Sequence, residues 1–209
     1  MRRRTALRTG VALGTTALAG CTFGYTGALG LHESFEGAFD WETAAHIGPE
    51  EPLSAFEWEV APTAERAHTG ERSLRVFTEG DHDDGTAWAT HPVEVEPGTR
   101  YRARVTAEFW SESESFNTLR NAVMRLGARR PETEGDFPDP GVNTTAIPDA
   151  PYGGLREPLH LAAGWREYAF EWNVPVDARE LFVAVGVSVV WESDVTHYVD
   201  EVRVELTEL

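Results

Sequence analysis

The sequence predicts an all-β fold, a sandwich of two antiparallel sheets. Three observations carry that prediction. Short runs alternate strictly between apolar and polar residues, the runs are bounded by Gly, Pro, Asn and Asp, and no window shows the 3.6-residue period of an amphipathic helix.

The clearest runs come in order. Phe56 to Val60 places Phe56, Trp58 and Val60 on one face, and Ser73 to Thr78 and Thr86 to Val95 follow. Tyr101 to Phe109 sends Tyr101, Ala103, Val105, Ala107 and Phe109 inward, with Arg102, Arg104, Thr106 and Glu108 outward. Arg120 to Leu126 is next. Arg166 to Val174 buries Tyr168, Phe170, Trp172 and Val174, and Tyr198 to Leu206 buries Val202, Val204 and Leu206. Leu181 to Trp191 is almost continuously apolar, but its β-branched residues and Gly186 favour a central strand over a helix. Its outer positions Ala184, Gly186 and Ser188 form a shallow floor, suited either to a groove or to a covered sheet. Eight or more strands at this spacing make a sandwich of one domain, read as residues 31–209. Between Gly127 and Gly154 lies one long irregular segment, with Pro131, Pro138, Pro140, Pro148 and Pro151. A loop of that length inside a compact domain is usually functional or disordered. It could close over one end of the face that carries Arg104, Thr106, Glu108 and Trp110. Asn143-Thr144-Thr145 within it is a glycosylation sequon at Asn143.

The first 20 residues have the layout of an export signal. Arg2, Arg3, Arg4 and Arg8 precede a weakly apolar stretch too short to span a bilayer, and Leu18-Ala19-Gly20-Cys21 follows. Leu18 to Cys21 resembles the lipobox of bacterial and archaeal lipoproteins, which implies lipidation of Cys21. Arg3-Arg4-Thr5-Ala6-Leu7 is similar to a twin-arginine signal. Residues 21–30 are small and polar and read as a tether, so membrane contact is expected through the lipid alone.

Removing residues 1–20, which hold four arginines and no acid, takes the formal charge from −17 to −21. Such a chain does not bind nucleic acid or anionic lipid by charge. All 18 basic residues are arginine, and an acidic, lysine-free surface resembles proteins of extreme halophiles. Cys21 is the only cysteine, so no disulfide or thiolate site is available to the domain. The histidines lack metal-binding spacing, and no nucleophile elbow or phosphate loop occurs.

Five fragments appear in a fixed order: Ser34-Phe35-Glu36-Gly37 with Trp41, His68 to Val76, Val95 to Tyr101, Gly164 to Phe170, and Tyr198 to Val202. Together they resemble the galactose-binding-like jelly-roll β-sandwich of carbohydrate-binding modules. The resemblance implies a structural calcium ion, Ca2+, at the positions of Glu36, the backbone from Thr69 through Glu71 to Arg72, and Asp200. Asp200 shares parity with Val202 and Val204, and an inward carboxylate needs a cation or hydrogen-bond donors. The alternative for Asp200 is an arginine partner or a turn cap.

A sugar platform needs exposed aromatic faces. Trp110 continues the outward Arg104, Thr106, Glu108 series and is the first candidate, with Arg104 and Glu108 as hydrogen-bonding partners. Trp88, Trp191 and Tyr152 come next, whereas Trp58, Trp172 and Trp165 fall on or beside core-facing positions. The expectation is a monomeric, non-catalytic module at the outer face of the cell membrane whose partner is a carbohydrate. A structural or protein-binding envelope lipoprotein, whose partner is another cell-envelope component, is the second reading. A small polysaccharide-degrading enzyme is the third.

Overall fold

The computed structural model describes residues 28–48, 52–82, 84–112, 119–161, 163–190 and 193–209. Cys21 and Trp191 lie outside the described residues. The strands are β1 (Ala28–Glu33), β2 (Glu42–His46), β3 (Trp58–Thr63), β4 (Ser73–Thr78), β5 (Gly85–Glu94), β6 (Tyr101–Ser111), β7 (Leu119–Gly127), β8 (Gly153–Pro158), β9 (Gly164–Val174), β10 (Glu180–Val190) and β11 (Val195–Glu208). Among the described residues only three 3-10 turns add to them, so the prediction of an all-β chain holds.

The strands form two antiparallel sheets packed as a jelly-roll sandwich. The first runs β3-β4-β11-β6-β9, with β1 beside the second half of β11, and the second runs β2-β5-β10-β7-β8. Alternation in β6 is as read from the sequence: every odd position from Tyr101 to Ser111 is buried, and the even ones are half-buried or exposed. Val105, Phe109, Phe170 and Val204 of the first sheet meet Met124, Leu181, Val183, Val185 and Val187 of the second in one apolar core. Each such side chain contributes about 1.5–3 kcal/mol by leaving water, which lets the domain stand without disulfides.

β10 is the central strand of its sheet, as its apolar run predicts. Of the two readings of its outer floor, the covered sheet is the one that forms. The Trp88 side chain lies across Gly186, where a Cβ would collide with Ala87 and Trp88, and Phe137 packs edge-on to Trp88 at 5.4 Å.

Three features differ from the sequence reading. The tether ends before Gly30, because β1 starts at Ala28 and pairs with β11. Strands β2 and β8 are additional. β2 is a short edge strand, and β8, rich in glycine and ending in proline, closes the long segment. That segment also does not cover the Trp110 end of the first sheet. It crosses the second sheet through Phe137 and then straps β8 to β9. Asn143 Nδ2 donates to Glu157 Oε1 (2.8 Å) and Ala169 O (3.0 Å), the Glu171 amide donates to Thr145 Oγ1 (2.8 Å), and Trp172 Nε1 donates to Ala150 O (2.9 Å).

Candidate functional site

The outer face of the first sheet carries a row of aromatic side chains. Trp165 of β9, Trp110 of β6 and Tyr198 of β11 are cross-strand neighbours, and the Trp110 and Tyr198 rings meet edge-on at 5.4 Å. Trp165 and Tyr198 are residues that sequence reasoning missed. β9 begins at Gly164, and carrying its alternation back from Tyr168 places 165 on the outward side with Glu167 and Ala169.

Over this row lies residues 64–72, the connection between β3 and β4. The Arg66 guanidinium sits 3.8 Å from the Trp110 ring centre, and the His68 ring is 5.4 Å from Trp165. Below them opens a small polar pocket of about 90 Å3, lined among others by His68, Thr69, Thr106, Glu108, Glu167 and Arg203. Glu108 and Glu167 face each other across β6 and β9. Burial pushes the Glu108 carboxyl above its ordinary range; His68 opposes this, and the negative charges of Glu167, Asp200 and Glu201 add to it. Arg104, four residues before Glu108 on β6, pairs with Glu171 at 3.6 Å and with Glu167 at 4.0 Å. Trp110, Glu108 and Arg104 therefore share one face, as their parity predicts.

The connection is held down by two carboxylates. Asp200 Oδ2 accepts from the amides of His68 (2.8 Å) and Thr69 (3.0 Å), and Oδ1 accepts from the Glu201 amide (2.7 Å). Glu36 Oε1 accepts from the amides of Glu71 (2.7 Å) and Arg72 (2.8 Å). Asp200 does not share the face of Val202. A bulge shifts the pairing between Asp200 and Arg203, so Asp200 stands opposite Glu108, and Glu201 takes φ +52°, a left-handed conformation costly for a residue with a Cβ. Glu201 is fixed by His32 at 3.0 Å, the Thr69 hydroxyl and Arg203. Burial raises its carboxyl, but those hydrogen bonds and the Arg203 charge outweigh it and hold the group below the ordinary glutamate range.

Glu36, Thr69, Glu71 and Asp200 are thus brought to one junction, but as carboxylates facing amide N–H groups. Among the described residues no three Asp, Glu, His or Cys side chains converge as a metal cluster. Here backbone amides meet the oxygens of Glu36 and Asp200 that a calcium ion would draw on. Of the two readings of Asp200, the arrangement matches the cap.

The remaining candidates are scattered. Trp88 has 0% exposure beneath Phe137 and presents no face to a ligand, because the proline-rich segment covers its sheet. Tyr152 lies at the other sheet, its ring under the Arg125 guanidinium at 4.7 Å. The Asn143 nitrogen that a glycan would occupy donates to Glu157 and Ala169 instead, while its Oδ1 accepts from the Thr145 amide, so this side chain clips the strap to β8 and β9.

No protein-family profile matches the sequence, and none of the curated proteins matches it. Among solved structures, the chain is similar to the CBM22-1 xylan-binding domain of Paenibacillus barcinonensis Xyn10C. Identity is 16%, with 88% of this chain and 97% of that one covered and a TM-score of 0.49. The C-terminal family 22 carbohydrate-binding module of Clostridium thermocellum Xyn10B aligns at 18% identity over 87% and 96% of the two chains, with a TM-score of 0.45. The enzymatically active domain of bacteriophage CBA120 tailspike protein 4 aligns at 14% identity and a TM-score of 0.48. There the match covers 83% of this chain but 20% of that one.

Proposed function

We propose that this protein is a non-catalytic, lipid-anchored β-sandwich that binds carbohydrate outside the cell membrane. The observation that carries the reading is the outward row Trp165, Trp110 and Tyr198 beside the polar pocket of His68, Thr106, Glu108 and Glu167. Aromatic faces take the C–H faces of pyranose rings, and the adjacent carboxylates and guanidinium groups accept from and donate to hydroxyls. Residues 64–72 form one wall of this site. Polysaccharide retention should weaken about tenfold in Trp165→Ala, the loss of roughly 1–2 kcal/mol of stacking. Affinity electrophoresis against xylan and galactan, with melting curves of the same proteins, reads both effects. No retention by the wild type, together with a melting temperature lowered in Trp165→Ala, would sink the reading.

One contact favours the structural alternative: Arg66 already covers one face of Trp110. In that case Trp110→Ala lowers stability and leaves retention at the level of the wild type.

Attachment rests on Leu18 to Cys21. Cys21→Ser is expected to move the protein from the membrane fraction to the soluble one and to abolish labelling by a radioactive lipid precursor; unchanged fractionation would refute the anchor. Adaptation to strong salt rests on the formal charge of −21 that remains without residues 1–20, and on the absence of lysine. Screening of that repulsion should raise the unfolding midpoint steeply between 0.1 M and molar sodium chloride, and a flat dependence would leave the acidity without this explanation.

A further inference from the structure

Three arginines are buried in the described residues: Arg120, Arg125 and Arg156. Arg156 pairs with Glu134 and donates to Ser188 Oγ at 2.5 Å. Arg120 lies at the far end of β7, against His160. Arg125 differs. At 6% exposure it has no carboxylate within ion-pair distance, and its Nε meets no acceptor; its contacts are the Arg129 carbonyl and the Tyr152 ring. The nearest anion, Asp136, acts on it by charge without touching it, and a buried guanidinium with an unmet N–H leaves a place for a further partner.

Arg125 opens onto a cleft of about 460 Å3, which Arg129, Arg130, Glu132, Asp136 and Phe182 complete. That volume suits a small ligand. Gly127 leaves room for the guanidinium, since a Cβ there would stand 3.0 Å from Arg125 Nη2. Two other groups of the wall are already engaged. Arg130 pairs with Glu42 and lies over the Phe182 ring, and Asp136 Oδ2 accepts from the amides of Glu132 and Thr133 and from the Thr133 hydroxyl. Arg129 is exposed at the rim and makes no ion pair with another described residue.

We propose that Arg125 and Arg129 hold the carboxylate of an acidic sugar, a uronate, in this cleft on the sheet opposite the aromatic row. Two guanidinium groups match a planar carboxylate through paired N–H donors, and Phe182 supplies apolar surface for the ring. The net negative charge of the chain turns long polyanions away, while one carboxylate is admitted at contact range. The choice of a sugar as carrier rests on the carbohydrate-binding reading; the oxyanion site itself does not.

Titration of the 15N-labelled protein with sodium glucuronate, glucose and sodium sulfate tests this. Glucuronate should shift the Gly127 amide and the Arg129 side-chain Nε–H saturably, while glucose leaves them in place. Arg129→Gln, at an exposed position that leaves the fold intact, should weaken glucuronate at least fivefold, and Arg125→Gln should remove the response. Sulfate saturating the same signals as tightly as glucuronate would overturn the sugar assignment. Equal binding by both variants, or no saturable shift, would overturn the site. The Trp110 and Trp165 indole signals report the first sheet separately. Their response to a neutral glycan without any shift at Gly127 would leave the proposed function standing and end this one.

Discussion

Asp200→Ala is expected to lower the unfolding free energy by about 3 kcal/mol and to expose the two tryptophans of the outer row. Three backbone N–H groups, of His68, Thr69 and Glu201, lose their acceptor at once. Hydrogen bonds to a charged group contribute about 1.5–3 kcal/mol each. The full sum is not realised, because burial pushes the Asp200 carboxyl above its ordinary value despite those amides, so deleting it also recovers a desolvation cost. What remains is the release of residues 64–72, with Arg66 leaving Trp110 and His68 leaving Trp165. Urea unfolding gives the energy, and a red-shifted tryptophan emission in the native baseline gives the release. Asp200→Asn, which keeps one acceptor oxygen, should lose less. In the wild type, a chelator should leave the melting temperature unchanged, since amides and not a cation satisfy Asp200. A chelator that destabilises the wild type but not Asp200→Ala would restore calcium to this junction.

The same residue marks how far the fold was legible. The two-residue period revealed β6, β9 and β11 and their inward faces, because a half-buried strand must alternate and Val, Phe and Trp leave water at a gain, while the continuous β-branched run revealed β10 as a strand buried on both faces. Alternation also put Arg104, Glu108 and Trp110 together. It failed at Asp200, where a single bulge reverses the parity of everything after it, and nothing local in Val199-Asp200-Glu201-Val202 announces a bulge at a non-glycine residue. Trp165 is hidden for a milder reason: it borders a run of buried aromatics, and its outward side shows only when the strand is carried back to Gly164. Long-range covers were illegible altogether. That Phe137 would close over Trp88, that Arg66 would close over Trp110, and that Asn143 would clip two strands depend on contacts between segments far apart in the chain.

Acid should weaken the domain well above the carboxylate range, through His197. This side chain is on the inward side of β11 at 1% exposure, its Nδ1 donates to Trp110 O at 3.1 Å, and its Nε2 has no partner. Burial first, with the nearby Arg120 charge, lowers its pKa from 6.5 to about 4, against the raising effect of the Trp110 carbonyl. The folded protein thus keeps His197 neutral while the unfolded chain takes up a proton near pH 6.5. Between the two values the unfolded state binds more protons, so stability rises with pH. It is full above about pH 6.5 and is lost as pH falls toward 4, a gap worth about 3 kcal/mol. Glu201 and Asp136, whose carboxyls lie below their ordinary values, lose their contribution only at lower pH. Glu108 and Asp200, raised by burial, act with the opposite sign above their ordinary values. These terms are common to the wild type and His197→Asn, in which the amide nitrogen can still donate to Trp110 O without titrating. The wild type should therefore lose about 3 kcal/mol more than His197→Asn between pH 7 and pH 4 in urea unfolding, and parallel pH profiles of the two proteins would show that His197 is not buried as a neutral group.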